Sequence, residues 1–151
     1  MEVSGSGWVG GVVSADAASV QVEGAGQPVS LKKAPSLPRS GRAKNGVPDM
    51  IALDLLNEGA IQENVYTRYT RGDIYTSVGP ILISVNPYKS MGEQLYGDDV
   101  ADSYAAGLRS PHLFASADAA YMAMMNSGTD QAVLISGESG AGKTEATKVR
   151  V

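Results

Sequence analysis

The residues best suited to chemistry lie near the C-terminal end of the sequence, where residues 137–144 read GESGAGKT. A glycine, four further residues and then Gly-Lys-Thr form the pattern of a phosphate-binding loop. Its glycines allow positive φ angles, so that main-chain N–H groups can approach an anion closely. Lys143 would bring a charge to the β- and γ-phosphates, and Thr144 would offer a hydroxyl to Mg²⁺. The segment therefore predicts nucleoside triphosphate binding.

The segments on either side of this loop predict the strand and the helix that such a loop requires. Residues 132–135 (AVLI) form an apolar run typical of a strand. Residues 143–150 are mostly competent helix formers, and Glu145 lies in the first turn, where the helix dipole favours an anion. A flexible, glycine-rich surface loop is the alternative, and the agreement of strand, loop and helix disfavours it.

The N-terminal third of the chain is predicted to form short strands. Residues 8–13, 19–23 and 28–31 carry β-branched residues between turn-like segments, which favours a small β-barrel or meander. A peptide-binding module is the functional alternative, but Trp8 is the single aromatic residue available there to line a groove. Residues 34–46 mix Pro, Ser, Gly and basic side chains, and we interpret them as a linker.

The following segment predicts a hairpin and several helices. Apolar runs on both sides of Gly79-Pro80 indicate a hairpin over residues 74–85. Its second strand is almost entirely apolar, so we expect it to be buried on both faces and to share a sheet with residues 132–135. Helices are predicted at residues 48–59, 61–69, 98–108 and 112–125, the last with Ser110 as its N-cap.

Several side chains in these helices allow a functional and a structural interpretation. Asp54 follows an apolar run, as Mg²⁺-binding aspartates often do, but helical periodicity favours a position on a helix. His112, the single histidine, could act as a general base, yet no nucleophile or metal-ligand pattern accompanies it. A structural role in the first helical turn is therefore the favoured interpretation. Met122, Met124 and Met125 are predicted to fill the core.

Composition limits the classes of function. The chain has 151 residues, a net charge of −4 and no cysteine. The charge argues against a nucleic-acid module with a broad basic face, and the lack of cysteine excludes disulfides and thiolate metal clusters. The first seven residues show no secretory signal, and no apolar run reaches the roughly 20 residues of a membrane-spanning helix. We therefore expect a soluble, intracellular protein.

In their order along the chain, these segments resemble the N-terminal part of a myosin motor head. The strands before residue 34 resemble its SH3-like subdomain, and Asn86-Pro87-Tyr88-Lys89 resembles its purine-binding loop. Residues 110–115 (SPHLFA) resemble a helix start of the family, and residues 134–148 resemble its phosphate loop almost letter for letter. The resemblance implies an α/β P-loop NTPase fold: an incomplete mixed sheet with helices, preceded by a small SH3-like β subdomain. The implied domains are residues 1–33 (SH3-like), 34–46 (linker) and 47–151 (motor).

The resemblance also implies a site for ATP and Mg²⁺. In the family the phosphate loop wraps the β-phosphate, the lysine contacts the β- and γ-phosphates, and the threonine binds Mg²⁺. Carried over, the implied phosphate contacts are Gly137, Glu138, Ser139, Gly140, Ala141, Gly142, Lys143 and Thr144. The residues implied to flank the purine are Asn86, Pro87 and Tyr88, with Tyr96 as the candidate for a further tyrosine that faces the base.

The same resemblance implies that catalysis needs more than this chain. The family's switch I, switch II and actin-binding surfaces follow the phosphate loop, whereas the chain stops at Val151. We therefore expect a fragment that contains no catalytic residue and does not hydrolyse ATP by itself. The full motor would be cytoplasmic and cytoskeletal, and it would bind actin through downstream regions. An unrelated P-loop ATPase or nucleotide kinase, and a non-enzymatic interaction module built on the Trp8 strands, are the alternative functions.

Overall fold

The computed structural model describes residues 37–148 continuously. Before them it describes short stretches, at residues 2–3, 7–8, 11–13, 19–22, 24 and 26–30. The chain divides into two compact units, Met1–Thr70 and Arg71–Val151. The boundary directly follows the longest helix of the first unit, which ends at Thr70.

The described residues at the start of the first unit form five short antiparallel strands. β1 (Glu2–Val3) pairs with β2 (Gly7–Trp8), and a separate three-stranded sheet has the order β3-β4-β5. Its strands are β3 (Gly11–Val13), β4 (Ser19–Val22) and β5 (Val29–Ser30), with Val12 opposite Gln21 and Val20 opposite Val29. The predicted meander is therefore confirmed for β3, β4 and β5, whereas Trp8, predicted in the same strand as Val13, lies in the separate pair of β1 and β2. Positions 9–10, 23 and 31 of the predicted strands lie outside the described residues, and the SH3-like assignment stays a prediction.

Turns held by side chains connect these strands to the first long helix. Ser40 is fully buried and its hydroxyl donates to the carboxylate of Asp54, which also accepts from the Gly41 N–H at 3.2 Å. The hydrogen bond from Ser40 holds the pKa of Asp54 below its usual range. Ala43, in a 3-10 turn, is also fully buried. Residues 37–46, within the predicted linker, are thus folded against the segment that follows them.

The predicted helix over residues 48–59 is wrong. In its place the chain forms one 3-10 turn, Met50–Ala52. At its start the side chain of Asp49 accepts a hydrogen bond from the Ile51 N–H. Leu53 then adopts an extended conformation with ψ 139°, and this ends the turn. Asp49 caps only the start of this turn, whereas the Asp54 carboxylate accepts from Ser40 and Gly41, so its side chain is held by a preceding segment and not by a continuing helix. The structure thus places Asp54 in a turn anchored by Ser40.

The helix predicted at residues 61–69 is confirmed and is longer, because α1 covers Glu58–Thr70. Asn57 caps its start by accepting from the Ala60 N–H at 3.0 Å. Asn64, on the buried face, accepts from Val47 N at 2.7 Å and donates to Val47 O at 3.0 Å. The Asn64 side chain therefore bonds both main-chain groups of Val47 and holds the preceding turn against α1. Arg39 and Glu63 form a further side-chain ion pair.

The second unit contains the predicted hairpin. β6 (Tyr75–Val78) and β7 (Ile81–Ser84) pair antiparallel, with Thr76 opposite Ile83, and they form a two-stranded sheet. The first strand carries the core of this unit, since Tyr75 and Thr76 are buried. The prediction that β7 is buried on both faces is wrong, because Ile81 is 64% exposed. Ile81 and Ser84 at the two ends of β7 are exposed, so the described residues do not cover both faces of this strand along its length.

The predicted strand at residues 132–135 is also not observed. Residues 128–138 have no regular secondary structure, and Leu134 is 93% exposed. A strand exists only through hydrogen bonds to a neighbour, and no described strand lies beside this segment to supply them. The apolar run therefore has no neighbouring strand among the described residues, and the predicted shared sheet with β7 is not formed.

Four helices complete the described part of the second unit. They are α2 (Gly92–Tyr96), α3 (Asp98–Ala105), α4 (Leu113–Ser127) and α5 (Lys143–Thr147). α3, α4 and the start of α5 agree with the predictions, and α2 occupies a segment predicted as loop. The predicted N-cap of α4 is wrong: His112 is the N-cap, while the Ser110 hydroxyl bonds the Tyr104 hydroxyl at 2.6 Å.

The prediction that three methionines of α4 fill the core is wrong as well. Met122, Met124 and Met125 are exposed, Met125 by 62%. The exposed part of α4 extends through its C-terminal half, whereas Phe114 in the first turn is buried. The spacing of apolar residues therefore predicts that this helix has an apolar face. It does not predict whether the described part of the chain packs against that face.

The pairing of Asn64 with Val47 predicts a measurable loss on an isosteric change. Asn64→Asp keeps the acceptor for Val47 N but removes the donor for Val47 O, leaving a carbonyl facing a buried carboxylate. We expect the free energy of unfolding to fall by about 1–3 kcal/mol, the usual cost of an unsatisfied buried polar group. Urea unfolding at pH 7 measures it.

The matched control on the same helix is Tyr66→Ala. Tyr66 is exposed, so this change should alter the free energy of unfolding by less than about 0.5 kcal/mol. Equal stability of Asn64→Asp and the unchanged protein would show that the Val47 contacts do not hold the turn.

Candidate functional site

The predicted phosphate loop has its own network of hydrogen bonds. The Lys143 ammonium donates to the carbonyls of Gly137 and Glu138, both at 2.7 Å. The Ala141 N–H donates to the same Glu138 carbonyl at 3.2 Å, closing a tight turn. Gly140, within that turn, has φ 80°, a conformation that residues with a Cβ rarely adopt. The loop is thus folded around the lysine rather than extended.

The charge of Lys143 is available to an anion in this arrangement. An ammonium has three donors, and the two carbonyls engage two of them. Gly142, directly before it, has φ 93°, and no heavy atom outside its two neighbouring residues lies within 4 Å of the position that a Cβ would occupy. The loop therefore combines a cation that has a remaining donor with a glycine whose Cβ position is open, and both features favour a phosphate group.

The loop after β7 contacts the phosphate loop through one side chain. Asn86 Nδ2 donates to the Gly140 carbonyl at 2.7 Å, and Asn86 Oδ1 accepts from the Tyr88 N–H at 2.8 Å. The second bond forms a turn in which Tyr88 takes the left-handed conformation, with φ 50°. Asn86 therefore joins two segments that lie 54 residues apart in the sequence.

A cavity of about 630 Å³ lies between these two loops and α2. Asn86 and Pro87 line one side, Tyr96 of α2 another, and Ala141 and Gly142 a third. A volume of this size is within the range of small-molecule and cofactor pockets. The structure therefore brings five predicted site residues to one cavity.

The other predicted residues lie beside this cavity or away from it. Residues 137–140 are exposed and lead directly into the lining residues, and Lys143 and Thr144 follow them at the start of α5. Tyr88 is 84% exposed and does not line the cavity, so the structure does not support contact between its ring and a purine bound there. Of the four residues predicted to flank the purine, Asn86, Pro87 and Tyr96 line the cavity.

Comparison with known proteins gives the family. The model of the myosin head (motor domain) matches residues 47–151. The chain belongs to the myosin motor head family. The predicted resemblance is thus confirmed over most of the sequence, including both loops that line the cavity.

Individual myosins agree with this assignment. The chain is 47% identical to myosin IA heavy chain of Dictyostelium discoideum over 106 residues, which is 68% of the chain and 10% of that protein. It is 40% identical to myosin-5 of Arabidopsis thaliana over 152 aligned positions, 94% of the chain and 10% of that protein. Myosin-7 of the same plant is 50% identical over 107 residues, 69% of the chain and 6% of that protein. The chain therefore spans about a tenth or less of the length of these relatives.

Tyr96, which lines one wall of the cavity, contacts a buried aromatic cluster. The Tyr96 and Tyr75 hydroxyls are 2.7 Å apart, and the Tyr75 ring meets the His112 ring edge-on at a centroid distance of 4.9 Å. Tyr104 stacks on the other part of the imidazole, also at 4.9 Å, and Phe114 lies at 4.8 Å. Burial raises the pKa of the Tyr75 hydroxyl above its usual range, so it stays protonated and can donate to Tyr96.

His112 holds this cluster to α4. It is 2% exposed, and its Nδ1 accepts from the Phe114 N–H at 3.0 Å, which caps the helix. Burial lowers the pKa of His112, because the charged form would lose its hydration. The prediction of a structural rather than a general-base role in the first turn fits this position. A protonated ring would lose the Nδ1 acceptor and therefore the cap.

Sequence reasoning missed two residues that line this cavity, Tyr75 and Glu145. Tyr75 lies on β6 and supports Tyr96 from 21 residues away, a distance at which no local pattern signals contact. Glu145, in α5, was assigned to the helix dipole, but it also lines the cavity, where its carboxylate bonds Lys148 at 2.7 Å. The α2 helix was missed because it has five residues, fewer than a periodic pattern needs.

The described residues contain no membrane-spanning segment: none of their helices has the length and apolar character to cross a bilayer.

The buried, neutral His112 predicts a pH dependence of stability. Its pKa is lower in the folded state than in the unfolded chain, where it is about 6.5. Below that pH the unfolded state binds the extra proton, so stability is complete above pH 6.5 and falls as the pH decreases. For a single site the slope cannot exceed about 1.4 kcal/mol per pH unit. Urea unfolding between pH 7.5 and 5 measures it.

His112→Asn is the control for this titration, because asparagine caps helices well and has no proton to gain in this range. His112 is the single histidine of the chain, so its replacement should flatten stability between pH 7.5 and 5. An unchanged slope in the variant would assign the pH dependence to other groups.

Proposed function

We propose that this chain supplies the nucleotide-binding part of a myosin-like, actin-based motor. The chain's own share of the work is to bind the phosphates of ATP at residues 137–144 and its purine at the cavity beside Asn86 and Tyr96. The full-length protein would couple hydrolysis to movement along actin and act at the cytoskeleton of the cytoplasm. The observation that carries the proposal is the bond of 2.7 Å between Asn86 and Gly140, which joins the two loops at one cavity.

The phosphate side of the proposal is supported by the charge of Lys143. Its ammonium sits above two carbonyls of the loop and has a remaining donor for a phosphate oxygen. Hydrogen bonds to charged groups contribute about 1.5–3 kcal/mol each, so one lysine contact accounts for about tenfold in affinity or more.

The purine side is supported by an apolar and aromatic wall. Pro87, Met91 and Tyr96 line the cavity together with Leu113, and they provide flat apolar surface of the kind that a base ring packs against. Tyr96 is held in place through its hydroxyl by Tyr75, so its position needs no ordering when a ligand arrives. A triphosphate entering beside Gly142 would thus have its base directed toward α2.

The donor set fits Mg²⁺ that arrives with the nucleotide. Mg²⁺ prefers oxygen ligands and usually keeps several waters while it is held by one or two protein groups and by phosphates. Within residues 37–148 no cluster of three or more carboxylate or imidazole groups could hold a metal by itself. Thr144 is exposed in the first turn of α5, where its hydroxyl could serve as the protein ligand.

Calorimetric titration with MgATP tests the proposal. The 151-residue chain should bind, and Lys143→Ala should weaken binding at least tenfold because it removes the charge from the phosphate loop. Titration with MgADP and with adenosine then separates the phosphate contribution from that of the base.

Lys44→Ala is the matched control for charge. Lys44 is exposed in the first unit, so its removal subtracts the same charge and should leave the dissociation constant within about twofold. Binding that survives Lys143→Ala unchanged, with the variant folded by circular dichroism, would contradict the proposal.

A further inference from the structure

We propose that Asn86 is a positioning residue for the phosphate loop: it holds the Gly140 peptide in the orientation that lets residues 137–144 receive a phosphate chain. The inference rests on the function proposed above. It assigns to the loop after β7 an effect on phosphate affinity that does not pass through the purine.

Both polar atoms of the Asn86 side chain form hydrogen bonds within the protein. Nδ2 donates to Gly140 O at 2.7 Å, and Oδ1 accepts from Tyr88 N at 2.8 Å. The purine-binding role implied by resemblance would require the same groups to face the base. In the structure one N–H of the amide remains, so the main task of this side chain is to connect the two loops.

The bond to Gly140 fixes a whole peptide unit. Gly140 O and Ala141 N belong to one planar, trans peptide, in which the carbonyl and the N–H point in opposite directions. The carbonyl is held by Asn86 and the N–H by Glu138 O, at 2.7 and 3.2 Å. A peptide held at both ends cannot rotate without breaking a hydrogen bond, although Gly140 by itself would allow many orientations.

The same contacts lead from Asn86 to the lysine. Glu138 O accepts from Ala141 N and also from Lys143 Nζ, the latter at 2.7 Å. Rotation of the Gly140 peptide would therefore change the geometry at Glu138 and, through it, the position of the ammonium. The path consists of three consecutive hydrogen bonds and needs no contact between Asn86 and the ligand.

Asn86 can serve as an anchor because the hairpin holds its own main chain. The preceding residue, Val85, donates from its N–H to Ile74 O at 3.0 Å, which extends the pairing of β6 and β7 by one position. The turn to Tyr88 fixes the residues that follow. The phosphate loop, by contrast, has three glycines and is exposed over residues 136–140. The more rigid segment therefore positions the more flexible one.

Mg²⁺-pyrophosphate is the probe that isolates this effect, because it has phosphates and no base. We expect Asn86→Ala to weaken pyrophosphate binding about fivefold to tenfold, the change that corresponds to one lost hydrogen bond of about 1 kcal/mol. Asn86→Asp keeps the acceptor for Tyr88 N but cannot donate to Gly140 O, so it should weaken binding at least as much.

Ser90→Asp corrects for the added negative charge. Ser90 lines the same cavity and is exposed, so its variant measures the effect of a carboxylate without the loss of the Gly140 bond. We expect a smaller loss for Ser90→Asp than for Asn86→Asp. The carbonyl ¹³C resonance of Gly140 should also shift in both Asn86 variants and stay in place in Ser90→Asp, while the melting temperatures of all variants stay close to that of the unchanged chain.

The outcomes separate this inference from the proposed function. Pyrophosphate binding that is equal in the unchanged chain, Asn86→Ala and Asn86→Asp would overturn the positioning role and leave the nucleotide site intact. Weakening in Asn86→Ala alone would assign the effect to the Tyr88 turn and also overturn it. If the unchanged chain binds neither MgATP nor Mg²⁺-pyrophosphate, the proposed function and this inference both fail.

Discussion

The hydrogen bond between Asn86 and Gly140 is the contact on which the candidate site depends. It closes a separation of 54 residues with a single donor and acceptor, at the point where a rigid hairpin meets a glycine-rich loop. Glycines permit the angles that such a loop needs, but they also permit many others, so a loop of this composition requires an external contact to select one conformation. Side-chain hydrogen bonds do this here, because the segment that precedes the loop is not paired in a sheet among the described residues.

The opposite wall of the cavity depends on burial rather than on hydrogen bonds. Tyr96 is supported by Tyr75, and Tyr75 packs against His112, which in turn caps α4 and stacks on Tyr104. Aromatic side chains have few rotatable bonds, and mutual packing fixes their positions at little entropic cost. Two different physical devices thus fix the cavity: a hydrogen-bonded loop at the phosphate side and a buried aromatic cluster at the side where a base would lie.

The sequence predicts well those features that local chemistry determines. The spacing of glycines before Lys143 and the two β-rich runs around Gly79-Pro80 each depend on neighbouring residues, and the structure contains the positive φ angles and the hairpin that they predict. It predicts poorly what depends on distant partners. The apolar run at residues 132–135 has no described strand beside it, and the methionines of α4 are exposed. The chain turns to an extended conformation at Leu53, so residues 50–52 form a 3-10 turn in place of the predicted helix, and no local pattern could signal that Asn86 would meet Gly140.

The central proposal is that the two loops of this myosin-family chain form a single nucleotide site, with the base beside α2 and the phosphates beside α5. Photolabelling with 8-azido-ATP in the presence of Mg²⁺, followed by peptide mapping, tests it most directly. The account predicts labelling within residues 86–96 that unlabelled MgATP abolishes, since the azide lies on the base. Labelling confined to residues outside this segment, or labelling that MgATP does not reduce, would contradict it.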